Sequence, residues 1–183
     1  MCQLSKNKEF HLKIGLISDT HGHLDDAIFE HFSGCDEIWH AGDFGSDVAE
    51  KLSEKFILRG VYGNIDDQKI RNKFPEHLWM NVAGLKIWIT HIAGTPPNYK
   101  PGIKAQLKTG SPDILICGHS HITRIGRDEN YRNMLFINPG AAGHHGFHSM
   151  RTIVTFQLSD GKIEDLRVIE LGKRGTIDAG SIY

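Results

Sequence analysis

Apolar and polar positions fall into short blocks along this chain, and the period of the blocks changes in a regular order. Leu12 to Ser18 is an apolar run that breaks at Asp19-Thr20-His21-Gly22, the pattern of a buried strand closed by a turn. Leu24 to Phe32 switches to a helical period, with Leu24, Ala27, Ile28 and Phe32 on one face. Glu37 to His40 predicts a second strand, ending at Gly42-Asp43. Ser46 is placed to cap a helix through about Glu54, with Val48, Ala49 and Leu52 inward. Phe56 to Tyr62 predicts a third strand, ending at Gly63-Asn64. This β-α-β-α-β order implies a parallel sheet with right-handed crossovers.

The rhythm then changes. Leu78 to Val82 and Leu85 to Thr90 flank Ala83-Gly84, a hairpin signal. Gly94 to Asn98 reads as a loop, and Pro101 to about Lys108 as a short helix with Ile103 and Leu107 one turn apart. Asp113 to Cys117 predicts a buried strand before Gly118-His119-Ser120-His121. Ile122 to Gly126 and Met134 to Asn138 flank a polar turn, and Pro139 to Gly143 is a tight loop. Thr152 to Leu158 alternates and pairs with Ile163 to Leu171 across Asp160-Gly161. The early βα units and the later hairpins can share one core as two packed sheets with helices outside. Residues 1–183 read as a single domain, with 1–11 and 172–183 as flexible ends.

Composition adds little until the histidines. The 183 residues are 39% hydrophobic and 23% charged, as in an ordinary globule. The net charge of −1 gives no global field to recruit nucleic acid or acidic lipid. No basic stripe carries interleaved aromatics, so nucleic acid is not indicated as a partner. No apolar stretch approaches the ~20 residues of a membrane span. Cys2, Cys35 and Cys117 have no C-x-x-C spacing, and the N-terminus lacks a long apolar segment; both point to the cytoplasm. Twelve histidines are many for such a chain, and histidine is a common metal ligand.

The histidines and carboxylates cluster where the strands end. Asp19 and His21, Asp43, Asn64, His91, and His119 with His121 each follow a strand-like run. Each pair or single residue alone is an ordinary turn feature. Together they form a candidate site at the C-terminal edge of a parallel sheet. All seven offer nitrogen or oxygen, which excludes a closed thiolate zinc site and suits Mn²⁺, Fe²⁺, Zn²⁺, Ni²⁺ or Co²⁺. Seven ligands exceed one tetrahedral ion and fit two ions if one carboxylate bridges, an arrangement used for displacement at phosphorus.

The ordered series Asp19-x-His21, Gly42-Asp43, Gly63-Asn64, His91, Gly118-His119-x-His121 resembles the calcineurin-like metallophosphoesterases. Ser-Asp-Thr-His-Gly at the start and Asn138-Pro139-Gly140 near the end are similar to the small bacterial and archaeal phosphodiesterase branch. The resemblance runs from about Lys13 to Leu171. It implies an α/β fold, a four-layer α/β/β/α sandwich of two mixed sheets flanked by helices. It also implies two divalent metal ions, manganese first, with Ni, Fe, Zn, Co or Mg as the other choices. Carried over residue by residue, Asp19, His21 and His121 hold the first ion, Asn64, His91 and His119 the second, and Asp43 bridges. The catalytic residues on this reading are Asp43, Asn64 and His91. The reaction is hydrolysis of a small phosphate ester, expected to be a diester, by in-line attack of a hydroxide shared between the ions, with the Asn64 amide on an equatorial oxygen.

One departure stands out. Many relatives carry a histidine after Gly-Asn; here Ile65 stands there and cannot transfer a proton. Leaving groups of low pKa are therefore expected to be favoured. His23 and His145 are candidates for the substrate rim, and either His23 or a histidine of the 144–148 loop is a substitute proton donor. His40 reads either as an orienting partner of a ligand or as a packed core residue, and Asp66 as a turn residue that bonds a ligand or the loop backbone. Ser18 reads as packing, His77 as loop, His11 and His31 as solvated, and the three tryptophans as core or subunit contact. The competing class is a metal-binding scaffold resembling a eukaryotic retromer subunit. Complete ligand positions favour the enzyme. Apolar residues in the later hairpins offer a surface for a homo-oligomer.

Overall fold

The computed structural model describes residues 11–175. It contains two five-stranded mixed sheets packed face to face. The first is built from β1 (His11–Ile17), β2 (Glu37–His40), β3 (Ile57–Gly60), β11 (Met150–Ser159) and β12 (Lys162–Lys173), in the order β12-β11-β1-β2-β3. The second is built from β4 (His77–Val82), β5 (Leu85–Thr90), β8 (Ile114–Ile116), β9 (Arg124–Asp128) and β10 (Met134–Asn138), in the order β4-β5-β8-β10-β9. β1, β2 and β3 run parallel, as do β5, β8 and β10. The hairpin partners β11, β12, β4 and β9 are antiparallel.

Strand alternation explains why the parallel runs look apolar throughout. Ile14, Leu16, Trp39, Ile87, Ile89, Ile114, Ile116 and Ile137 face the layer between the sheets. Their neighbours Ile17 and Ile38 face outward, under α1 (Asp26–Phe32), α2 (Val48–Ser53) and α3 (Gln68–Lys73). On the far side Trp88, Leu115 and Phe136 meet Ile103 and Leu107 of α4 (Pro101–Gly110). Both faces of each sheet are covered, so both phases of the alternation must be apolar. The result is the four-layer α/β/β/α sandwich.

Several local expectations shift. The first helix begins at Asp26 rather than Leu24. The second has Asp47, not Ser46, at its N-cap position, with φ 61° and no side-chain cap. Helix α3 was not expected; Asp67 caps it by accepting from the Ile70 N–H at 3.0 Å. His77, read as loop, opens β4 and bonds Thr90 Oγ1 through Nδ1 at 2.8 Å. β9 lies two residues later than expected, because Arg124 is the first residue that reaches a partner, Asn138. The 94–99 loop contains a two-residue ladder, β6 (Gly94–Thr95) with β7 (Asn98–Tyr99). β12 runs on to Lys173, so the flexible end expected from residue 172 starts too early, and His11 belongs to β1. The remainder of both expected flexible ends, 1–10 and 176–183, lies outside the described residues. Trp39 and Trp88 are buried core, and Trp79 stacks on Trp88 at 4.7 Å.

At the edge of the first sheet a buried carboxylate pairs with a half-exposed guanidinium. Glu37 accepts from Arg59 Nε at 2.7 Å, from a second Arg59 nitrogen at 2.9 Å and from Trp39 Nε1 at 2.9 Å. Burial alone would raise the Glu37 pKa, but the Arg59 and Trp39 donors outweigh it and lower it. A lowered carboxyl pKa stabilises the fold above the unfolded value and ceases to do so as pH falls through the folded one. Glu37→Gln is expected to cost about 1–3 kcal/mol at neutral pH. The gap between the two melting curves should close below about pH 4. A gap that persists unchanged at low pH would assign the loss to packing instead.

Candidate metal centre

The parallel strands all deliver their C-terminal ends to one edge, and the loops there are laid against each other by backbone bonds. Asp19 N–H donates to Gly42 C=O at 3.0 Å, His21 N–H to Asp43 C=O at 3.1 Å and Gly22 N–H to Phe44 C=O at 2.8 Å. Gly118 N–H donates to His91 C=O at 3.0 Å, tying the second sheet's loops together in the same way. Five of the seven candidate ligands sit in the left-handed region: Asp19 at φ 52°, His21 at 48°, Asp43 at 58°, His119 at 68° and His121 at 60°. That conformation costs a non-glycine residue roughly 1–2 kcal/mol, and such residues gather at functional sites.

All seven predicted residues converge. His121 Nε2 lies 3.2 Å from Asp19 Oδ1 and 3.3 Å from His21 Nε2. His21 Nε2 lies 3.9 Å from Asp43 Oδ2. His91 Nε2 lies 3.2 Å from Asp43 Oδ2, 3.2 Å from Asn64 Oδ1 and 4.0 Å from Asp19 Oδ1. Asn64 Oδ1 is also 2.8 Å from His119 Nδ1. Two overlapping sets have the compactness a metal ion needs: Asp19, His21 and His121, and Asp19, Asp43 and His91. The overlap falls on Asp19, while Asp43 reaches both His21 and His91.

The hydrogen bonds behind these groups fix which atoms face the centre. His91 Nδ1 lies 2.8 Å from the Ala41 carbonyl, which can only accept, so Nδ1 carries the proton. Nε2 is therefore the atom that His91 turns toward two carboxylates, where it carries a proton or meets a cation. Burial would lower its pKa, but Asp43 and Asp19 outweigh burial and raise it. The His121 pKa is likewise raised by its bond to Asp19, against burial. His21 and His119 are lowered by burial, with neighbouring imidazoles adding to the effect and the carboxylates opposing it. Burial pushes the Asp43 carboxyl up, and the bond to His91 brings it below its ordinary value. Asp19 accepts from Ser18 Oγ at 2.6 Å and from the His119 N–H at 3.1 and 3.2 Å. Asp43 Oδ1 accepts from the Ile65 N–H at 3.0 Å.

Four supporting residues carry little signal of their own in sequence. Ser18, read as packing, bonds a ligand. His40 is fully buried and accepts from Gly42 N–H through Nδ1 at 3.1 Å. Its Nε2 therefore carries the proton and donates to Thr20 Oγ1 at 3.0 Å, and Thr20 passes a bond to Phe44 C=O at 2.8 Å. Burial and then the nearby His91 hold the His40 pKa well down, in keeping with a neutral ring. His40 is thus both a core residue, stacked on Phe44, and the brace of the loops that carry Asp19, His21 and Asp43. Asn138 donates to Gly118 C=O at 2.8 Å and to Ser120 Oγ at 3.0 Å, holding the His119–His121 corner. Asp66 bonds loop backbone, accepting from Gly45 N–H at 3.0 Å and Gly63 N–H at 2.8 Å.

The two rim candidates part company. His145 is exposed, lines the mouth above His21 and lies 4.8 Å from that ring. His23 turns away: its ring meets His144 at 4.2 Å and its Nε2 lies 3.6 Å from Asp25 Oδ2.

Comparisons with known proteins bear on the family and the fold. A family model described as a calcineurin-like phosphoesterase superfamily domain matches residues 12–161. A probable metallophosphoesterase of Methanocaldococcus jannaschii is 31% identical over 136 residues, covering 70% of this chain and 67% of its own. A phosphodiesterase of the same archaeon is 29% identical over 146 residues, covering 70% of this chain and 83% of its own. Among solved structures, an archaeal phosphodiesterase superposes with a TM-score of 0.70 at 25% identity, covering 87% of this chain and all of its own, 100%. Vacuolar Protein Sorting 29 of Cryptosporidium parvum superposes with a TM-score of 0.61 at 21% identity, covering 90% of this chain and 100% of its own; that likeness is one of fold.

Proposed function

Because the chain belongs to the calcineurin-like phosphoesterase superfamily, we propose that it is a hydrolase that cleaves phosphodiesters with two divalent metal ions. Asp19, His21 and His121 would hold one ion and Asn64, His91 and His119 the other, with the Asp43 carboxylate within reach of both sets. The observation that carries this reading is the convergence of the seven side chains, with His91 Nε2 3.2 Å from the Asp43 carboxylate and 3.2 Å from Asn64 Oδ1. Two carboxylates, four imidazoles and an amide oxygen in one small space are a donor set that suits divalent cations. Two such ions supply a nucleophilic water at neutral pH and charge compensation for phosphoryl oxygens.

The chain's own residues do the positioning. Asn64 turns Oδ1 inward, so its Nδ2 hydrogens are the donors available to an equatorial phosphoryl oxygen. The Ile65 N–H fixes the Asp43 carboxylate, and its half-exposed apolar side chain offers a departing alkoxide no proton. A leaving group that departs as a stable anion is therefore favoured. The same reading takes residues 1–183 as one domain, acting in the reducing cytoplasm on a small ester; among the described residues no helix is long and apolar enough to cross a membrane.

The test is metal analysis of the purified protein together with turnover of bis-p-nitrophenyl phosphate and p-nitrophenyl phosphate under added Mn²⁺, Ni²⁺, Mg²⁺ and Zn²⁺. Two ions per chain are expected, with Mn²⁺ the strongest activator, the diester cleaved faster than the monoester and aryl esters faster than alkyl ones. A fully loaded protein that cleaves neither compound would point instead to a metal-binding scaffold.

A further inference from the structure

Two clefts open from Asn64, lined by different side chains. One, of about 460 Å³, runs away on the His91 side between the 62–64 segment, β4 and α4. The other, of about 310 Å³, lies over His21, His119 and His121. Asn64 lines both.

The larger cleft has a polar wall that is partly spent on itself. Arg71 donates to the carbonyls of Asp66, Gly63 and Asn64 and lies 4.4 Å over the Tyr62 ring, so it holds the wall in place. The Tyr62 hydroxyl donates to Glu76 at 3.2 Å. Among the described residues, neither the Lys100 ammonium nor the Gln106 amide has a side-chain partner, and both line the cleft. Cation, carboxylate, hydroxyl and amide thus surround one space with both donors and acceptors. The smaller cleft is edged by Ile65, Ile122 and Phe147, which are 47%, 57% and 105% exposed. Three large apolar side chains left in water around one mouth mark a binding surface rather than a packing one.

A phosphate monoester has one organic arm and would need one cleft. We infer that the substrate is an unsymmetrical phosphodiester, one arm of which bears hydrogen-bonding groups that meet Lys100 and Gln106 in the larger cleft while the other arm rests on Ile65, Ile122 and Phe147. The inference rests on the phosphodiesterase reading and sharpens it: the phosphoryl group sits at Asn64 because that is where the two clefts meet.

Gly102 gives a way to close the larger cleft. It lies on the wall, in the first turn of α4, and a Cβ built there meets nothing within 4 Å. Gln106, one turn further on, offers a second position. The experiment compares thymidine 5′-(p-nitrophenyl) phosphate with methyl p-nitrophenyl phosphate in the metal-loaded wild type, Gly102→Phe, Gln106→Trp and Phe147→Ala. The wild type should prefer the nucleoside ester by about tenfold or more in kcat/KM, and each cleft-filling variant should bring the ratio to about one, chiefly through KM. Phe147→Ala should raise KM for both aryl esters. Thymidine 5′-monophosphate added to the metal-free protein should shift the amide resonances of the Gly102–Gln106 turn. A wild-type ratio near one, a preference that survives both filled clefts, or shifts that avoid this turn would overturn the inference while leaving the hydrolase intact. A loaded protein that cleaves neither ester overturns both.

Discussion

Asp43→Asn is expected to lose about a thousandfold in kcat/KM on a diester, roughly 4 kcal/mol of transition-state stabilisation. The substitution removes one charge and almost no volume. The new amide retains an oxygen to accept the Ile65 N–H, which Asp43 Oδ1 accepts at 3.0 Å, so the loop has no reason to collapse. What the amide cannot do is bear negative charge between His91, at 3.2 Å, and His21, at 3.9 Å. Both halves of the centre lean on that carboxylate, so metal content should fall below two ions per chain rather than simply weaken at one. A binding equilibrium read through stability gives an independent check. Excess metal at about a thousand times its dissociation constant stabilises the folded state by about 4 kcal/mol, a rise of about 10 °C in Tm for a chain of this size. The wild type should show such a rise and Asp43→Asn should show little of it. Full activity with two bound ions in the variant would remove Asp43 from its bridging role.

The gathering of the seven candidate ligands at one edge was legible because topology makes it so. Parallel strands end on the same side, and a site that needs polar groups at one sheet edge must interrupt apolar runs in a fixed order. Leu16-Ile17 breaking into Asp19, and Ile114 to Cys117 breaking into Gly118-His119, are interruptions of this kind. The fold followed from the same runs, since strands buried on both faces cannot show a polar phase. Helix α3 was missed because six residues with one buried apolar side chain, Ile70, leave no periodic stripe to read. Its cap, Asp67, was visible but looks like any turn carboxylate.

The supporting residues were legible only as alternatives, for a different reason. His40 ends a strand, as a ligand would, yet its ring turns into the core and braces Thr20 and Gly42. Periodicity assigns a residue to a face, and only three-dimensional packing says which neighbour its polar atoms reach. Backbone strain is hidden in the same way. The sequence places glycines beside the ligands, at Gly22, Gly42 and Gly118, where a left-handed turn would be cheap. The ligands Asp19, His21, Asp43, His119 and His121 themselves adopt positive φ, and nothing in their identities announces it. The chain accepts that local cost across the site while the surrounding sheets remain regular.

Gly63→Ala should do nearly as much damage as removing a ligand, although it adds only a methyl group. A Cβ at this position would stand 2.0 Å from Asp43 Oδ1, 2.3 Å from Asp43 N and 2.7 Å from Asp43 Cγ. Swinging the carboxylate aside relieves the first and third contacts but not the second, which is backbone, so the two loops themselves must separate. Gly63 is also held from behind, its N–H donating to Asp66 Oδ2 at 2.8 Å, so the strain passes into Asp43 on one side and Asn64 on the other. A displacement of about 1 Å at a catalytic group costs about a hundredfold in rate, and overpacking of this kind costs about 1–3 kcal/mol in stability. Gly126 on β9 supplies the control: a Cβ there meets nothing within 4 Å, and Gly126→Ala should keep full activity and an unchanged or slightly higher Tm. Activity, metal content and melting measured on the two variants side by side separate a local clash from a general intolerance of added bulk. If Gly63→Ala matched Gly126→Ala in all three, the close approach of the two loops would have no part in holding the centre together.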